Sequence, residues 1–124
     1  MTPLLMLEQF LQDNPDIEMF EVLLHDLNGV QRGKWLPRDK IHKVFTGGYK
    51  MPLSSCSLDC WGRDQEELIA ATGDADGICV PHPETLARVP WADKTTAQII
   101  VSMANETGDL PYAGDCRSVL QSVV

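Results

Sequence analysis

The residues best suited to chemistry in this sequence are few. They are the basic set Arg32, Lys34 and Arg38, the neighbours His25 and Asp26, the adjacent serines Ser54 and Ser55, the acidic stretch from Gly73 to Gly77, and four cysteines. Arg32 and Lys34 stand two apart on a predicted strand and so share a face. With Arg38 they form the kind of patch that holds phosphate. A solvated sheet face balancing an acidic chain accounts for the same residues. Neither G-x-x-x-x-G-K-[ST] nor G-x-G-x-x-G occurs to cradle a phosphate.

His25 and Asp26 are consecutive, so on a strand their side chains point to opposite faces. G-x-S-x-G is also absent, and no Ser-His-Asp arrangement can be argued. Ser54 and Ser55 fall in a predicted loop, and loops at sheet ends often line sites. Placing Gly77 sixth in a calcium loop puts Thr72 first and Pro83 twelfth, where an EF-hand needs acids. The stretch is therefore expected to be a solvated turn. Cys56 and Cys60 are spaced C-x-x-x-C with no second pair to complete a zinc site, and Cys79 and Cys116 stand apart. Reduced, partly buried thiols are expected. His25, His42 and His82 are too scattered to form a ligand motif.

Holding these residues requires a modest set of elements. Thr2-Pro3 reads as an N-cap followed by proline at the first helical position. Leu4, Leu5, Leu7, Phe10 and Leu11 give a helical stripe that Asn14-Pro15 stops. A strand is predicted over 18–25, a type I′ turn at Asn28-Gly29, and a return strand over 30–36. A short helix over 37–45, with Ile41, Val44 and Phe45 as its apolar face, ends at Gly47-Gly48. The segment 49–62 is a mixed loop or strand, and 63–77 is acidic, turn-rich and exposed. A short strand at 78–83 and a longer β-branched one at 95–106 follow. Thr107-Gly108-Asp109 turns the chain, and Asp115 caps a last helix. The result is a small α+β domain on a mixed or antiparallel sheet. The apolar ending Val119-Leu120-Gln121-Ser122-Val123-Val124 suggests a helix continuing into another domain.

The chain has 124 residues and 44% hydrophobic content, enough for one domain with a real core. Its net charge of −8 argues against nucleic acid or anionic lipid as partner. No apolar run approaches the ~20 residues of a membrane span. The N-terminus lacks the basic start of a signal peptide. A soluble, cytoplasmic protein is expected.

Taken in order, several segments resemble a known family. "LLHDLNGVQRGKWLP" fits D-x-x-G-x-x-R-G-K-x-x-P, and "FTGGYKMPLSS" matches a glycine followed by an aromatic-D-G-S-S loop. "ETLARVPW" fits T-L-x-x-x-P-W, and "ETGDLPYAGDCRSVL" resembles a D-G-x-P turn before D-x-R-x-x-L. Together, from about Asp16 to Leu120, they resemble the N-terminal domain of glutamine synthetases. "LLHDLNG", "RGKWLP" and "NPDI" are most similar to the branch that ligates glutamate to amines other than ammonia, the γ-glutamylputrescine and γ-glutamylpolyamine synthetases.

The resemblance implies an α+β domain of β-grasp fold, with a mixed sheet and short helices. It divides the chain into an N-terminal helix (1–15), the β-grasp domain (16–114), and the start of a helix (115–124) leading into a C-terminal catalytic domain. ATP and Mg or Mn would belong to that larger domain, with none bound here and no catalytic residue in this segment. The full-length protein would be a homo-oligomer, a dodecamer in the family's usual form, each site lying between one N-terminal domain and its neighbour's C-terminal domain. Arg32, Lys34 and Trp35 would serve packing and that interface. Aligned without gaps from Gly48, the aromatic-D-G-S-S loop falls on Met51, Pro52, Leu53, Ser54 and Ser55. Both serines are kept. The acid of the ammonia-using enzymes becomes Pro52, which can neither attract nor deprotonate ammonium. A shifted alignment makes Asp59 the counterpart instead. Trp61 is either an aromatic at the edge of the site or a core or surface tryptophan. The expected substrate side is thus Pro52, Ser54, Ser55, Asp59 and Trp61, facing an amine larger than ammonia. An ammonia-using enzyme and a stand-alone β-grasp binding module remain the alternatives.

Overall fold

A computed structural model describes residues 1–73 and 75–124. Helix α1 (Pro3–Asp13) starts as its sequence predicts: Thr2 accepts a hydrogen bond from Leu5 N–H, and Asn14 ends the helix. Strands β1 (Met19–His25) and β2 (Gln31–Pro37) form an antiparallel hairpin. A 3-10 turn (Arg38–Lys40) and the short α2 (His42–Phe45) follow. Then come β3 (Lys50–Pro52), a second 3-10 turn (Leu53–Ser57), α3 (Glu66–Thr72), β4 (Asp76–Arg88), β5 (Thr96–Met103) and α4 (Cys116–Val123). The sheet order is β2-β1-β5-β4-β3, with β1 and β5 parallel and every other neighbouring pair antiparallel.

One face of the sheet makes the core. Alternation along β1 buries Phe20, Val22 and Leu24, and on β5 Ala97, Ile99, Val101 and Met103 point the same way. Leu7 and Leu11 of α1, with Ile41 and Val44 around α2, close over them. Phe10 and Phe20 meet tilted, with ring centroids 6.3 Å apart. On the opposite face Met19, Glu21 and Leu23 are half-buried, and Trp35, cross-strand from Glu21, is exposed.

Four local expectations need correction. The hairpin does not turn on a two-residue Asn28-Gly29 loop. Gly29 N–H donates to Asp26 O at 3.0 Å and Asp26 N–H to Val30 O at 3.1 Å, so three residues form the loop and Gly29 takes the positive φ of 74°. The cause is Asp26, whose Oδ1 accepts from both Asn28 N–H and Val30 N–H and organises a longer turn. Second, the predicted 37–45 helix is split, because Pro37 stays extended and the chain tightens to 3-10 before α2. Third, part of the acidic segment is helical: α3 has Glu66 and Glu67 in its first turn and a left-handed Gly73 at its end. Asp74, within the stretch weighed as a calcium loop, lies outside the described residues.

Fourth, the strand expected at 78–83 is part of a 13-residue β4 with an irregularity between His82 and Ala87. Prolines are tolerated there for a directional reason. Cys79 N–H donates outward to Tyr49 O, and Pro81 and Pro83 lie at the same parity, beyond the end of the short β3. Their missing N–H groups belong to the sheet's open side.

Candidate functional site

The segment linking β3 to α3 carries all five expected site residues. Pro52 is exposed at the end of β3. Ser54 is buried and Ser55 half-buried in the 3-10 turn beyond it. Asp59 and Trp61 lie further along, in a tight turn closed by Asp59 N–H donating to Arg63 O and Gly62 N–H donating to Asp59 O, both at 2.9 Å. Asp59 Oδ1 also accepts from Trp61 N–H and Arg63 N–H at 2.9 Å each. That oxygen therefore holds the turn together. Trp61 is 76% exposed, with the Arg63 guanidinium 5.7 Å from its ring centroid. Of the two readings of Trp61, a core tryptophan is excluded.

The basic set does not form one patch. Arg32 Nε donates to Asp26 Oδ2 at 3.0 Å. Burial works to raise the Asp26 pKa, but Val30 N–H, the Arg32 guanidinium and Asn28 N–H outweigh it and hold the carboxyl below its ordinary value. Arg38 turns under the sheet and donates to Leu11 O, Asn14 O and Ile17 O at 2.8–3.0 Å. Leu11 O is one of the last-turn carbonyls that α1 leaves without a helical partner, and Asn14 and Ile17 lie just beyond the helix. Lys34 is exposed. Trp35 and Trp91, both largely exposed, share a surface cavity with Glu21 and Lys94.

One arrangement escaped the sequence reading. His82 Nε2 hydrogen-bonds Ser102 Oγ, and Glu84 Oε1 lies 3.7 Å from His82 Nδ1. The order is that of a nucleophile, a base and an acid. Yet Ser102 is buried within β5, and 3.7 Å is too long for the orienting hydrogen bond. Burial, then the nearby Arg117, keep the imidazole pKa low and the ring neutral. These groups brace β4 against β5. Cross-strand register alone could have revealed the His82–Ser102 contact, and the irregularity in β4 hides it.

Among the described residues no three His, Cys, Asp or Glu side chains gather to hold a metal. Arg32 and Arg38 are each engaged by partners within this chain. None of its described helices is long and apolar enough to cross a membrane.

The mixed sheet with short helices packed on one face is an α+β domain of β-grasp type. The chain is 32% identical over 115 residues to gamma-glutamylputrescine synthetase PuuA of Escherichia coli (strain K12), a match covering 91% of this chain and 24% of that protein. Solved structures of GmaS without ligand and of a GmaS/ADP complex each align with a TM-score of 0.70. They are 26% and 27% identical and cover 92% and 94% of this chain, and 24% of each GmaS chain. A novel glutamine synthase homolog shares the fold, with a TM-score of 0.69 and 18% identity over 86% of this chain and 25% of its own. No protein-family model matches. In sequence and fold the chain resembles an N-terminal domain of the glutamine synthetase family. It spans only 24% of the length of the curated relative.

Proposed function

We propose that the chain acts as the N-terminal domain of an ATP-dependent ligase that joins glutamate to an amine, forming a γ-glutamyl amide. The observation that carries this is its 32% identity, across 91% of its length, to an enzyme named for γ-glutamylputrescine synthesis. In this reading the full-length protein is a cytoplasmic homo-oligomer, a dodecamer as in the family. The segment Pro52–Trp61 faces the amine side of the neighbouring subunit's site. ATP and Mg or Mn are held by the C-terminal domain. A neighbour solved with ADP supports the nucleotide.

Pro52 supports an amine larger than ammonia, a polyamine among the candidates. A carboxylate at that place would attract ammonium and help remove its proton. Proline offers neither charge nor acceptor on its side chain, while an alkylamine gains from contact with its ring. Exposed Trp61 adds an aromatic face suited to a protonated amine. The test is to assay the full-length enzyme for phosphate release with glutamate and a panel of amines, in the wild type and in Pro52→Asp. The expected result is activity with an alkylamine or polyamine, and a gain in ammonia use in Pro52→Asp. Unchanged amine preference in Pro52→Asp removes that loop from the amine site.

A further inference from the structure

The tip of the β1–β2 hairpin holds the residues that lead into the Asp59–Arg63 turn and, through Arg32, touches the turn itself at Gly62. Leu27 N–H donates to Cys56 O at 3.1 Å, and Asn28 Nδ2 donates to Leu58 O at 2.8 Å. Gly62 lies so near the Arg32 guanidinium that a Cβ there would sit 3.3 Å from Nη1. Arg32 is itself fixed by the buried Asp26. The turn is closed internally by the two backbone hydrogen bonds and by Asp59 Oδ1, so it moves as one piece. Residues 60–67 are exposed, and burial offers them no other anchor. Where the turn stands is therefore decided by the hairpin tip.

We propose that Asn28 and Arg32 are positioning residues that set the place of the Asp59–Arg63 turn, and with it Trp61, at the amine side of the site. The positioning stands on the contacts above. Its effect on the amine rests on the function proposed in the preceding section. Asn28 makes its contact through a partly exposed side-chain amide, so its removal leaves the core intact. Arg32 offers the turn a flat guanidinium surface, which lysine cannot reproduce. A displacement of about 1 Å in a substrate-positioning group can cost roughly 100-fold in rate, so a small shift of the turn is readable in kinetics.

The experiment uses the full-length enzyme carrying Asn28→Ala or Arg32→Lys, with 5-fluorotryptophan incorporated and the Trp61 signal assigned by Trp61→Phe. Two quantities are read: the fluorine resonance of Trp61, and the KM for amine beside the KM for glutamate. Both variants are expected to shift the Trp61 resonance and raise the amine KM several-fold, roughly 3- to 10-fold, with the glutamate KM unchanged. A purely structural role would move both KM values or neither. A Trp61 resonance that stays in place in both folded variants overturns the proposal, even if Trp61→Phe itself alters the amine KM. A shifted resonance with an unchanged amine KM upholds the positioning and removes the amine-side reading instead.

Discussion

Arg32 donates from Nε to Oδ2 of Asp26 at 3.0 Å, and that carboxylate, only 1% exposed, is the organising group of the hairpin tip. Its other oxygen accepts from two backbone N–H groups. One ion pair thus fixes a turn, a strand end and the guanidinium against which Gly62 rests.

Removing Arg32 leaves a buried carboxylate with fewer donors. Arg32→Ala is expected to destabilise the chain by about 1–3 kcal/mol at neutral pH. The Asp26 pKa is lowered on folding from its ordinary 3.8. The stabilisation it brings is thus fully present above the unfolded pKa and lost as pH falls through the folded one. The gap between wild type and Arg32→Ala should narrow below about pH 4. Urea unfolding at pH 7 and pH 3 measures it. An equal gap at both values would separate the destabilisation from the Asp26 charge.

A second acid-sensitive pair lies on the surface. Arg88 meets Asp16 with two parallel hydrogen bonds, 2.8 Å and 2.7 Å, and holds its carboxyl at about 2. The sign is again that of a depressed acid. The contribution is present above the unfolded pKa and fades as pH drops from about 4 towards 2. Asp16→Asn should lower the thermal midpoint at pH 7 and lower it far less at pH 2. Both side chains are about half exposed, so 1 M salt should shrink the neutral-pH effect.

Two glycines in the same hairpin should respond very differently. A Cβ on Gly33 would lie 1.7 Å from Val22 O, inside the backbone of the partner strand. Gly33→Ala is expected to cost about 3 kcal/mol or more and to loosen the β1–β2 pairing. Gly29 has positive φ but open space around it. Gly29→Ala should cost about 1 kcal/mol, the price of a left-handed alanine. Chemical denaturation of the two variants side by side checks the ranking.

The four thiols should separate by burial. Cys56 and Cys79 are enclosed in the core, and burial, with the Asp115 carboxylate adding to it, pushes both thiols up to about 12. Cys60 is exposed and Cys116 half-buried. Iodoacetamide at pH 8 should modify Cys60 first and Cys116 more slowly, reaching Cys56 and Cys79 only on unfolding. Peptide mass spectrometry over a time course reads the order.

The elements written in local pattern were legible in the sequence. The Thr2-Pro3 start of α1, the alternation in β1, the β-branched run of β5 and the Asp115 cap of α4 depend on neighbours a few residues away. The hairpin loop is misread although its cause is local, since Asp26 bonds N–H groups two and four residues on and so outcompetes the two-residue turn. Other misread features depend on distant residues. The prolines of β4 are acceptable only because β3 is short. Arg38 reads as a surface charge until the end of α1 is seen to fold over it. The same division holds at the candidate site. Its segment could be found by motif, but the grip of the hairpin tip on that segment consists of contacts between residues about thirty apart.

The proline pair in β4 bears on behaviour in a crowded solution. An exposed strand edge is a template on which another molecule's strand can grow, and stacks of such strands become fibrils. A strand arriving at residues 81–83 would find carbonyls to accept from its N–H groups, but at Pro81 and Pro83 no N–H to donate to its own carbonyls. The sheet is thus closed to lateral growth along that margin.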